Sequence, residues 1–265
     1  MANFVVYTCI TGNYDWLWPP LVSPKNIHYV CFSDSYLGFK NGWEIRSIPD
    51  GLRNLPNNLI NRYIKLFPHK FFPEYEWSVY VDGNVRILGD LTQALDILEK
   101  NNFLIGCPRH PDRSNIYQER IACKSLGKFL GSDAEIVDTQ ITAYELEGMP
   151  IDQPLTENNF IVRKHVDPAI HKIMNDWWGQ IEKYSKRDQI SFPYVVWKSE
   201  LSVFMFDFSS SSNNGYIKRV GHRGSKTNVI KIKNFIRAKE VDGGGWRYVS
   251  FLLRLFSRLR RMFMS

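Results

Sequence analysis

The chain has 265 residues but no run of about 18 uncharged apolar ones, so the sequence predicts no bilayer-spanning helix. Its four cysteines form no C-x-x-C pair and suit no zinc motif, which favours buried free thiols in a reducing compartment. The first residues lack a lysine or arginine ahead of their short apolar stretch, unlike a secretory signal peptide. We therefore expect a cytoplasmic protein.

Aromatic residues make up 14% of the chain and charged residues 23%, a globular composition that can supply a large core. The charge is divided unevenly. Residues 216–265 hold 13 Lys and Arg against 2 Asp and Glu, whereas residues 1–215 carry a small acidic excess. A basic end on a weakly acidic body argues against a nucleic-acid binder and for an anionic partner at one end.

Apolar strand-like runs alternate with helical patterns along the chain, which predicts an α/β fold with a largely parallel sheet. Ligands of such sheets bind beyond the carboxyl ends of the strands, so polar residues that follow strands are candidates for a site. We expect Pro193 in the first turn of its helix. Strands are predicted at 3–10, 27–33, 45–48, 77–81, 103–107, 159–163 and 203–208, and helices at 57–69, 91–100, 116–130, 133–147, 167–184 and 188–198.

Asp82-Gly83-Asn84 directly follows the strand predicted at 77–81. Oxygen-bearing side chains at positions i and i+2 of such a turn can hold a hard divalent cation. An Asp-Gly turn that opens a hairpin explains the same residues. His222, in a basic glycine-containing loop, offers an imidazole to a metal or a proton to a phosphate, although a lone histidine usually has neither role.

A second polar cluster follows the first predicted strand. Backbone amides in such a turn can cradle a nucleotide, although the segment is neither a G-x-G-x-x-G motif nor a P-loop, and a plain polar turn is the alternative. Asp34 adds a carboxylate at the end of the second strand. The cluster consists of Thr8, Thr11, Gly12, Asn13 and Asp15.

Arg62 and Lys65 lie three residues apart on the helix predicted at 57–69, where they can grip a diphosphate, and a solvated helix face is the alternative. The charged segment 108–119 is of the kind that often carries function, with a salt-bridged surface loop as the alternative. Asp188 is explained as a helix N-cap, but it can also orient a sugar or stabilise a developing cation. The further candidates in and after this segment are Arg109, His110, Arg113, Glu119, Glu157 and His165.

Together these stretches resemble one family, catalogued as domain of unknown function 616 and described as glycosyltransferase-like. Its plant members are Golgi proteins linked to wall polysaccharide, and its bacterial members often occur among surface-polysaccharide functions. The resemblance covers roughly residues 4–197, and its most specific part is RDQISFPY preceded by R-x-H and WW. The matching stretches are VYTCITGNYD, YVCFSD, NRYIKLFPHKFFPEYEWSVYVDGNVRI, PRHPDRSNIYQE, LTENNFIVRKH and RDQISFPYVVW.

The resemblance implies a single GT-A-like domain with a mixed, mostly parallel sheet flanked by helices. In that fold a D-x-D turn holds Mn²⁺ or Mg²⁺ against the diphosphate of a nucleotide sugar. Asp82-Gly83-Asn84 stands in the matching place, with Asn84 instead of the second acid, so metal affinity should fall. The layout is also similar to glycosyltransferase family 8, which implies His222 as third metal ligand and Asp188-Gln189 as the sugar-facing pair.

The function implied is transfer of a sugar from a nucleotide-sugar donor to a glycan or glycolipid in lipopolysaccharide or capsule synthesis. The alternatives are a hydrolase of glycans or lipid headgroups and a non-catalytic glycan-binding module. Asp188 with Gln189 would face the donor sugar, and Glu119 or Glu157 would be the general base of an inverting enzyme. Thr8, Thr11, Gly12, Asn13 and Asp34 would hold the nucleoside, Arg62 and Lys65 the diphosphate, and Arg109, His110, Arg113 and His165 the acceptor.

The chain is predicted to divide into a transferase domain, 1–236, and a hinge with a basic amphipathic helix, 237–265. Residues 246–264 carry five arginines, no acid and an apolar face, which predicts a peripheral helix on the inner face of the cell membrane. A helix packed onto the body is the alternative. The apolar face consists of Tyr248, Val249, Leu252, Leu255, Phe256, Leu259 and Phe263, and the polar face of Ser250, Arg254, Ser257, Arg258 and Arg261.

Overall fold

The computed structural model describes residues 3–129, 131–224 and 227–262, with side chains up to Phe256 in the last helix. Phe263, and Ser225 and Lys226 of the basic loop, lie outside the described residues, as do the side chains of residues 257–262. The strands are β1 (Phe4–Ile10), β2 (His28–Ser33), β3 (Phe39–Lys40), β4 (Trp43–Ser47), β5 (Trp77–Val81), β6 (Val85–Ile87), β7 (Ile105–Pro108), β8 (Phe160–Arg163), β9 (Phe204–Phe206) and β10 (Ile217–Arg219).

Several helices begin at side chains that accept a backbone N–H, as helix N-termini require. Asn115 caps α3, Asp167 caps α5 ahead of Pro168, and Thr227 caps α7. The helices are α1 (Asn57–Leu66), α2 (Thr92–Lys100), α3 (Ile116–Ser125), α4 (Asp133–Leu146), α5 (Pro168–Lys183), α6 (Asp188–Ser199), α7 (Asn228–Lys239) and α8 (Gly245–Met262), with 3₁₀ turns at 50–52, 68–70 and 240–242.

The main sheet has the order β3-β4-β2-β1-β5-β8-β7-β9, with β4, β2, β1 and β5 parallel and β8 antiparallel to both neighbours. Every residue of β1 is buried. Val5 and Tyr7 pack into the core on one face and Val6 and Ile10 into the core on the other, because successive side chains of a strand alternate. The expected α/β class with a mixed, mostly parallel sheet flanked by helices is confirmed.

The hairpin interpretation of Asp82-Gly83-Asn84 is wrong. The turn is tight, with the N–H of Val85 donating to the carbonyl of Asp82, but β6 then leaves the main sheet and pairs with β10. Arg86 of β6 is fully buried and bonds to the carbonyl of Ala238 and to Asp242. These contacts cross the predicted boundary between residues 236 and 237.

Pro193 lies inside α6, beyond the first turn where we expected it. The helix begins at Asp188, which places the proline at its sixth residue. A proline there has no N–H for the carbonyl four residues earlier, that of Gln189. The helix therefore continues past a missing hydrogen bond next to the pair Asp188-Gln189.

Candidate active site

A cavity of about 520 Å³ opens at one edge of the main sheet. The parallel strands β1 and β5 end at this edge, and the antiparallel β8 begins there, so their flanking polar residues meet. One side of α1, along its whole length, and the first turn of α6 also line the cavity. The sequence-predicted residues that line it are Thr11, Gly12, Arg62, Lys65, Asp82, Asn84, His110, Arg113, Glu157, Asp188, Gln189 and His222.

The turn after β1 is braced from the neighbouring strand. Gly12 has a φ of 60° and Asn13 a φ of 55°, both in the left-handed region. The carboxylate of Asp34 accepts from the N–H of Gly12 at 2.8 Å, and Ser35 accepts from the N–H of Asn13 at 3.1 Å. Asp34 therefore fixes the shape of the turn from outside the cavity.

The turn after β5 forms an acidic corner with the basic loop. Tyr80 donates to Asp82 at 2.9 Å, and the amide of Asn84 donates to the carbonyl of Val220 at 3.1 Å. His222 lies beside them, with Nδ1 2.8 Å from Oδ1 of Asp15 and Nε2 3.4 Å from the amide nitrogen of Asn84. The corner thus brings two carboxylates, one amide and one imidazole together.

Charge and burial act in opposite directions in this corner. Burial raises the pKa of Asp15, opposed by the hydrogen bond and the charge of His222. Burial alone would lower the pKa of His222, but the hydrogen bond to Asp15 and the charges of Asp15 and Asp82 raise it. Asp15 and His222 therefore each favour the charged form of the other.

Asp188 also lines the cavity and is held by two cations. Nζ of Lys65 is 2.5 Å from one carboxylate oxygen, and Nη2 of Arg62 is 3.3 Å from the other. Burial opposes the charged form, but the charges of Arg62 and Lys65 hold the pKa of Asp188 well below its usual range. The N-cap interpretation is wrong, because Asp188 is the first helical residue and its carboxylate faces these cations. A solvated face for Arg62 and Lys65 is wrong for the same reason.

The remaining wall is cationic and rests on a buried acid. Glu119 is fully buried behind it and bridges Nε of Arg113 at 2.5 Å and Nη2 of Arg187 at 3.0 Å. Burial opposes its charged form, but the hydrogen bond from Cys123 and the two arginines lower the pKa of Glu119. Burial and the charge of Arg113 lower the pKa of His110 to about 4, so this imidazole is neutral at pH 7.

Six predicted site residues do not line the cavity. Thr8 and His165 are buried, and Nε2 of His165 lies 3.0 Å from the carbonyl of Phe72. Arg109 is exposed and pairs with Thr156 as an isolated bridge. Glu119, Asn13 and Asp34 support the residues that do line the cavity.

Several lining residues were missed or left without a role by sequence reasoning. Asn-Asn pairs at 57–58 and 158–159, each next to a predicted strand or helix terminus, were the available signal for four of them. Arg187 directly precedes the predicted Asp188, whereas Lys128 and Arg219 carry no local pattern. The residues are Asn57, Asn58, Asn61, Lys128, Asn158, Asn159, Arg187 and Arg219, and Asp15 of the predicted cluster after β1 lines the cavity as well.

The side chains at the acidic corner supply only some of the ligands that a hard divalent cation needs. No group of three His, Cys, Asp or Glu side chains within 3–129, 131–224 and 227–262 is arranged to hold a metal. The predicted set depends on the amide oxygen of Asn84 beside Asp82 and His222. Asp15 engages Nδ1 of His222, so Nε2 is the nitrogen that would bind an ion, and the Asn84 amide, whose nitrogen now lies 3.4 Å from Nε2, would have to turn its oxygen to the same ion. Such a set suits an ion whose other ligands come from a bound diphosphate.

Comparison with known proteins identifies a matching family. The profile described as "TOD1/MUCI70, glycosyltransferase-like domain" matches residues 55–222, which include Arg62, Asp82, Asp188 and His222. A curated relative, the "Probable hexosyltransferase MUCI70" of Arabidopsis thaliana, is 30% identical over 155 residues, which are 55% of this chain and 25% of that protein. The aligned region thus spans about a quarter of the relative's length.

Two solved structures share low similarity with the chain. The apo structure of the bifunctional glycosyltransferase WbbM has a TM-score of 0.46 and 13% identity, covering 77% of this chain and 39% of that one. The apo form of mouse xyloside xylosyltransferase 1 has a TM-score of 0.45 and 9% identity, covering 77% and 84%.

Proposed function

The chain belongs to the TOD1/MUCI70 family of glycosyltransferase-like domains, and on that premise we propose that it transfers a sugar from a nucleoside diphosphate donor to a hydroxyl of a glycan or glycolipid. The observation that carries the proposal is the pairing, across one cavity, of the Asp82 corner with an ionised, buried Asp188. We assign the reaction to surface-polysaccharide synthesis on the cytoplasmic side.

Departure of the diphosphate leaves positive charge on the sugar and negative charge on the diphosphate. In this proposal Asp188 stabilises the first and the acidic corner with its cation stabilises the second. A positive charge grows on the sugar, and a carboxylate held ionised by Lys65 and Arg62 stabilises it without having to lose a proton first. Asp188 therefore faces the donor sugar, with Gln189 beside it.

The turn after β1 and the acidic corner hold the nucleotide in this proposal. Thr11 and Gly12 line the cavity, and the hydrogen bond from the Gly12 N–H to Asp34 keeps their turn in place. Asp82, Asn84 and His222 would hold a divalent cation, and that ion supplies a positive charge opposite the leaving diphosphate. The amide of Asn84 makes the set less charged than two acids would.

The acceptor lies along the cationic wall, beside His110 and Arg113. Glu157 is the candidate base that reaches the cavity, whereas Glu119 is held behind it by two arginines. The oxygens of Glu157 accept from the N–H and the hydroxyl of Ser210, at 2.7 and 3.0 Å, which fixes the carboxylate against the wall. An inverting reaction would use Glu157 as its base.

The test is donor binding and turnover in Asp82→Ala with Asp96→Ala as the matched control. Asp96 is an exposed aspartate on α2, away from the cavity. Thermal stability is first measured with a panel of nucleoside diphosphates and nucleotide sugars, with and without Mn²⁺. A ligand at about 100 times its Kd adds about 2.7 kcal/mol of stability, which identifies the donor base.

We expect Asp82→Ala to lose the donor-induced shift and at least about 100-fold in turnover, since it removes an electrostatic contact made at the departing diphosphate. Asp96→Ala should match the unmodified protein, and both variants should melt at its temperature without ligand. Full turnover in Asp82→Ala would refute the site, and no shift with any nucleotide would refute the donor class.

A further inference from the structure

The orientation of α8 on the body is opposite to that of an ordinary packed amphipathic helix. Ser250 is buried and donates to Glu240 at 3.0 Å, and Nη2 of Arg254 lies 2.7 Å from the same carboxylate. The polar face of the helix is therefore the face that meets the protein. Packed surface helices normally do the reverse and bury their apolar stripe.

The apolar face of α8 consequently points away from the body. Tyr248 is 65% exposed, Phe251 56% and Phe256 66%, and Val249 and Leu255 are also exposed. The adjacent α7 adds the exposed Val229, Ile230 and Ile232, and packs against α8 through Phe235 and Trp246 at a ring distance of 5.9 Å. We call these apolar residues, with Trp246, the α7–α8 surface.

A cluster of large exposed apolar side chains on consecutive helices marks an interaction surface, because contact between apolar surface and water is unfavourable. Within the part of the chain that the structure describes, no helix is long and apolar enough to cross a membrane. The surface is thus suited to lying against a partner.

The charges around the surface indicate an anionic partner. The two acids of residues 216–265 are already engaged, Glu240 by Arg254 and Asp242 by Arg86 and Lys239. The helices also carry Lys231, Lys233, Arg237 and Arg247, and the sequence continues with arginines at 258, 260 and 261. This part of the chain therefore combines an excess of positive charge with an apolar face rich in aromatic rings.

We propose that the α7–α8 surface binds an anionic lipid bilayer, with the apolar face of α8 in the interface and the basic side chains at the headgroups. Aromatic and apolar side chains on one face and arginine beside them are the features of helices that lie in such an interface. The proposal is independent of the transfer reaction. A second copy of the chain and an acidic protein are the competing occupants.

The surface adjoins the cavity through one helix. The amide of Asn234 on α7 donates to the carbonyl of His222 at 2.9 Å, and Gly221 is packed so closely on Asn234 that a Cβ there would clash. A bilayer bound at α7–α8 therefore lies next to the acidic corner of the site.

The experiment is co-sedimentation of the full chain with vesicles of phosphatidylcholine alone or mixed with phosphatidylglycerol. The variant Phe251→Glu/Phe256→Glu places two acids on the apolar face. Its matched control, Leu37→Glu/Phe39→Glu, makes the same change at residues that are 88% and 76% exposed elsewhere on the surface. Light scattering gives the oligomeric state of all three proteins.

We expect binding to the anionic vesicles only, weakened by high salt because its electrostatic part is screened. The α8 variant should partition at least tenfold less, with the control unchanged and all melting temperatures equal. Absence of binding by the unmodified chain, or equal binding by the α8 variant, would overturn the proposal. If the unmodified chain forms an oligomer and does not bind vesicles, and the α8 variant is monomeric, the surface binds a second copy of the chain instead.

Discussion

Asp188 shows why the charge of one side chain depends on residues far away in sequence. Its partners Lys65 and Arg62 come from α1, more than 120 positions earlier. Tyr7 and Arg163, both buried, bond to the carbonyl of Lys65 and hold the end of that helix in place. The carboxylate at the cavity is therefore set in position by the core of the sheet and stays charged because its cations cannot move away.

His165 gives the residue-scale prediction, which concerns stability against pH. Burial lowers the pKa of His165 to about 4, and its Nδ1 has no hydrogen-bond partner in the described structure. Between pH 6.5 and 4 the unfolded chain binds a proton here that the folded chain refuses, so stability falls as the pH falls through that range. His165 alone should account for about 3 kcal/mol of this loss in the free energy of unfolding.

We expect His165→Gln to reduce the loss of stability between pH 7 and pH 4.5, because the glutamine amide keeps a donor for the Phe72 carbonyl and does not titrate. Urea unfolding followed by tryptophan fluorescence measures it. His69 and His110 have their pKa lowered to about 4 as well and remain in the variant as an internal comparison. An unchanged pH dependence would show that folding does not lower the pKa of His165.

Residue roles were predictable from sequence where a polar side chain directly follows a strand. Asp82 was predicted from such a position, whereas His222 and Asp188 were predicted from a loop and a helix start together with the family resemblance, and all three line one cavity. The placement of His165 could not be predicted, because the Phe72 carbonyl that it faces is 93 positions away. The burial of Glu119 could not be predicted either, because one of its two arginine partners, Arg187, is 68 positions away.

At the scale of elements, the turn between β5 and β6 is fixed by its glycine. A Cβ on Gly83 would lie 2.8 Å from the Ile10 side chain and 3.0 Å from Oδ2 of Asp15. Only a residue without a side chain allows the turn to approach both β1 and the acidic corner so closely.

We expect Gly83→Ala to lower the free energy of unfolding by about 1–3 kcal/mol, the usual cost of overpacking, and to weaken donor binding by displacing Asp15. The control is Gly179→Ala on the exposed side of α5, where no atom lies within 4 Å of the new Cβ. That change should instead stabilise by about 0.5–1 kcal/mol, through helix propensity. Chemical unfolding of both variants measures the difference, and equal effects would contradict the close approach.

Most strands of the main sheet and most helices beside it were predicted, because the spacing of apolar residues that indicates them lies within each segment. The pairing of β6 was not, since its partner β10 lies about 130 positions later and carries no strong pattern of its own. The stretch that forms α7, NVIKIKNFIRAK, alternates apolar and polar residues as a strand does at its start. Its helix is set by the Thr227 cap and by packing on Trp16 and Trp18 through Phe235.

For the whole molecule, Arg86 makes the C-terminal part a structural component of the body. It is fully buried and bonds to Ala238 and Asp242, beyond the predicted domain boundary. Removing one side of a buried charge pair costs about 3–5 kcal/mol, because the other charge stays without compensation.

We therefore expect a chain ending at Ile236 to melt about 10 °C below one ending at Gly245. The longer form keeps both partners of Arg86 and loses only α8 after its first residue, so its melting temperature should stay near that of the full chain. Differential scanning calorimetry of the three forms tests this. Equal melting temperatures for the two shorter forms would show that the boundary separates independent units.

The ion pair between Arg86 and Asp242 also leads to a prediction about which residues occur together in relatives of this chain. The match to the family model ends at residue 222, so Asp242 lies beyond the matched segment, whereas Arg86 lies inside it. An arginine at position 86 without the carboxylate of Asp242 would be a buried charge without compensation, and selection would act against it. In an alignment of relatives, arginine at this position should therefore be inherited together with a C-terminal extension that carries the acid, and both should disappear in lineages that lost the extension.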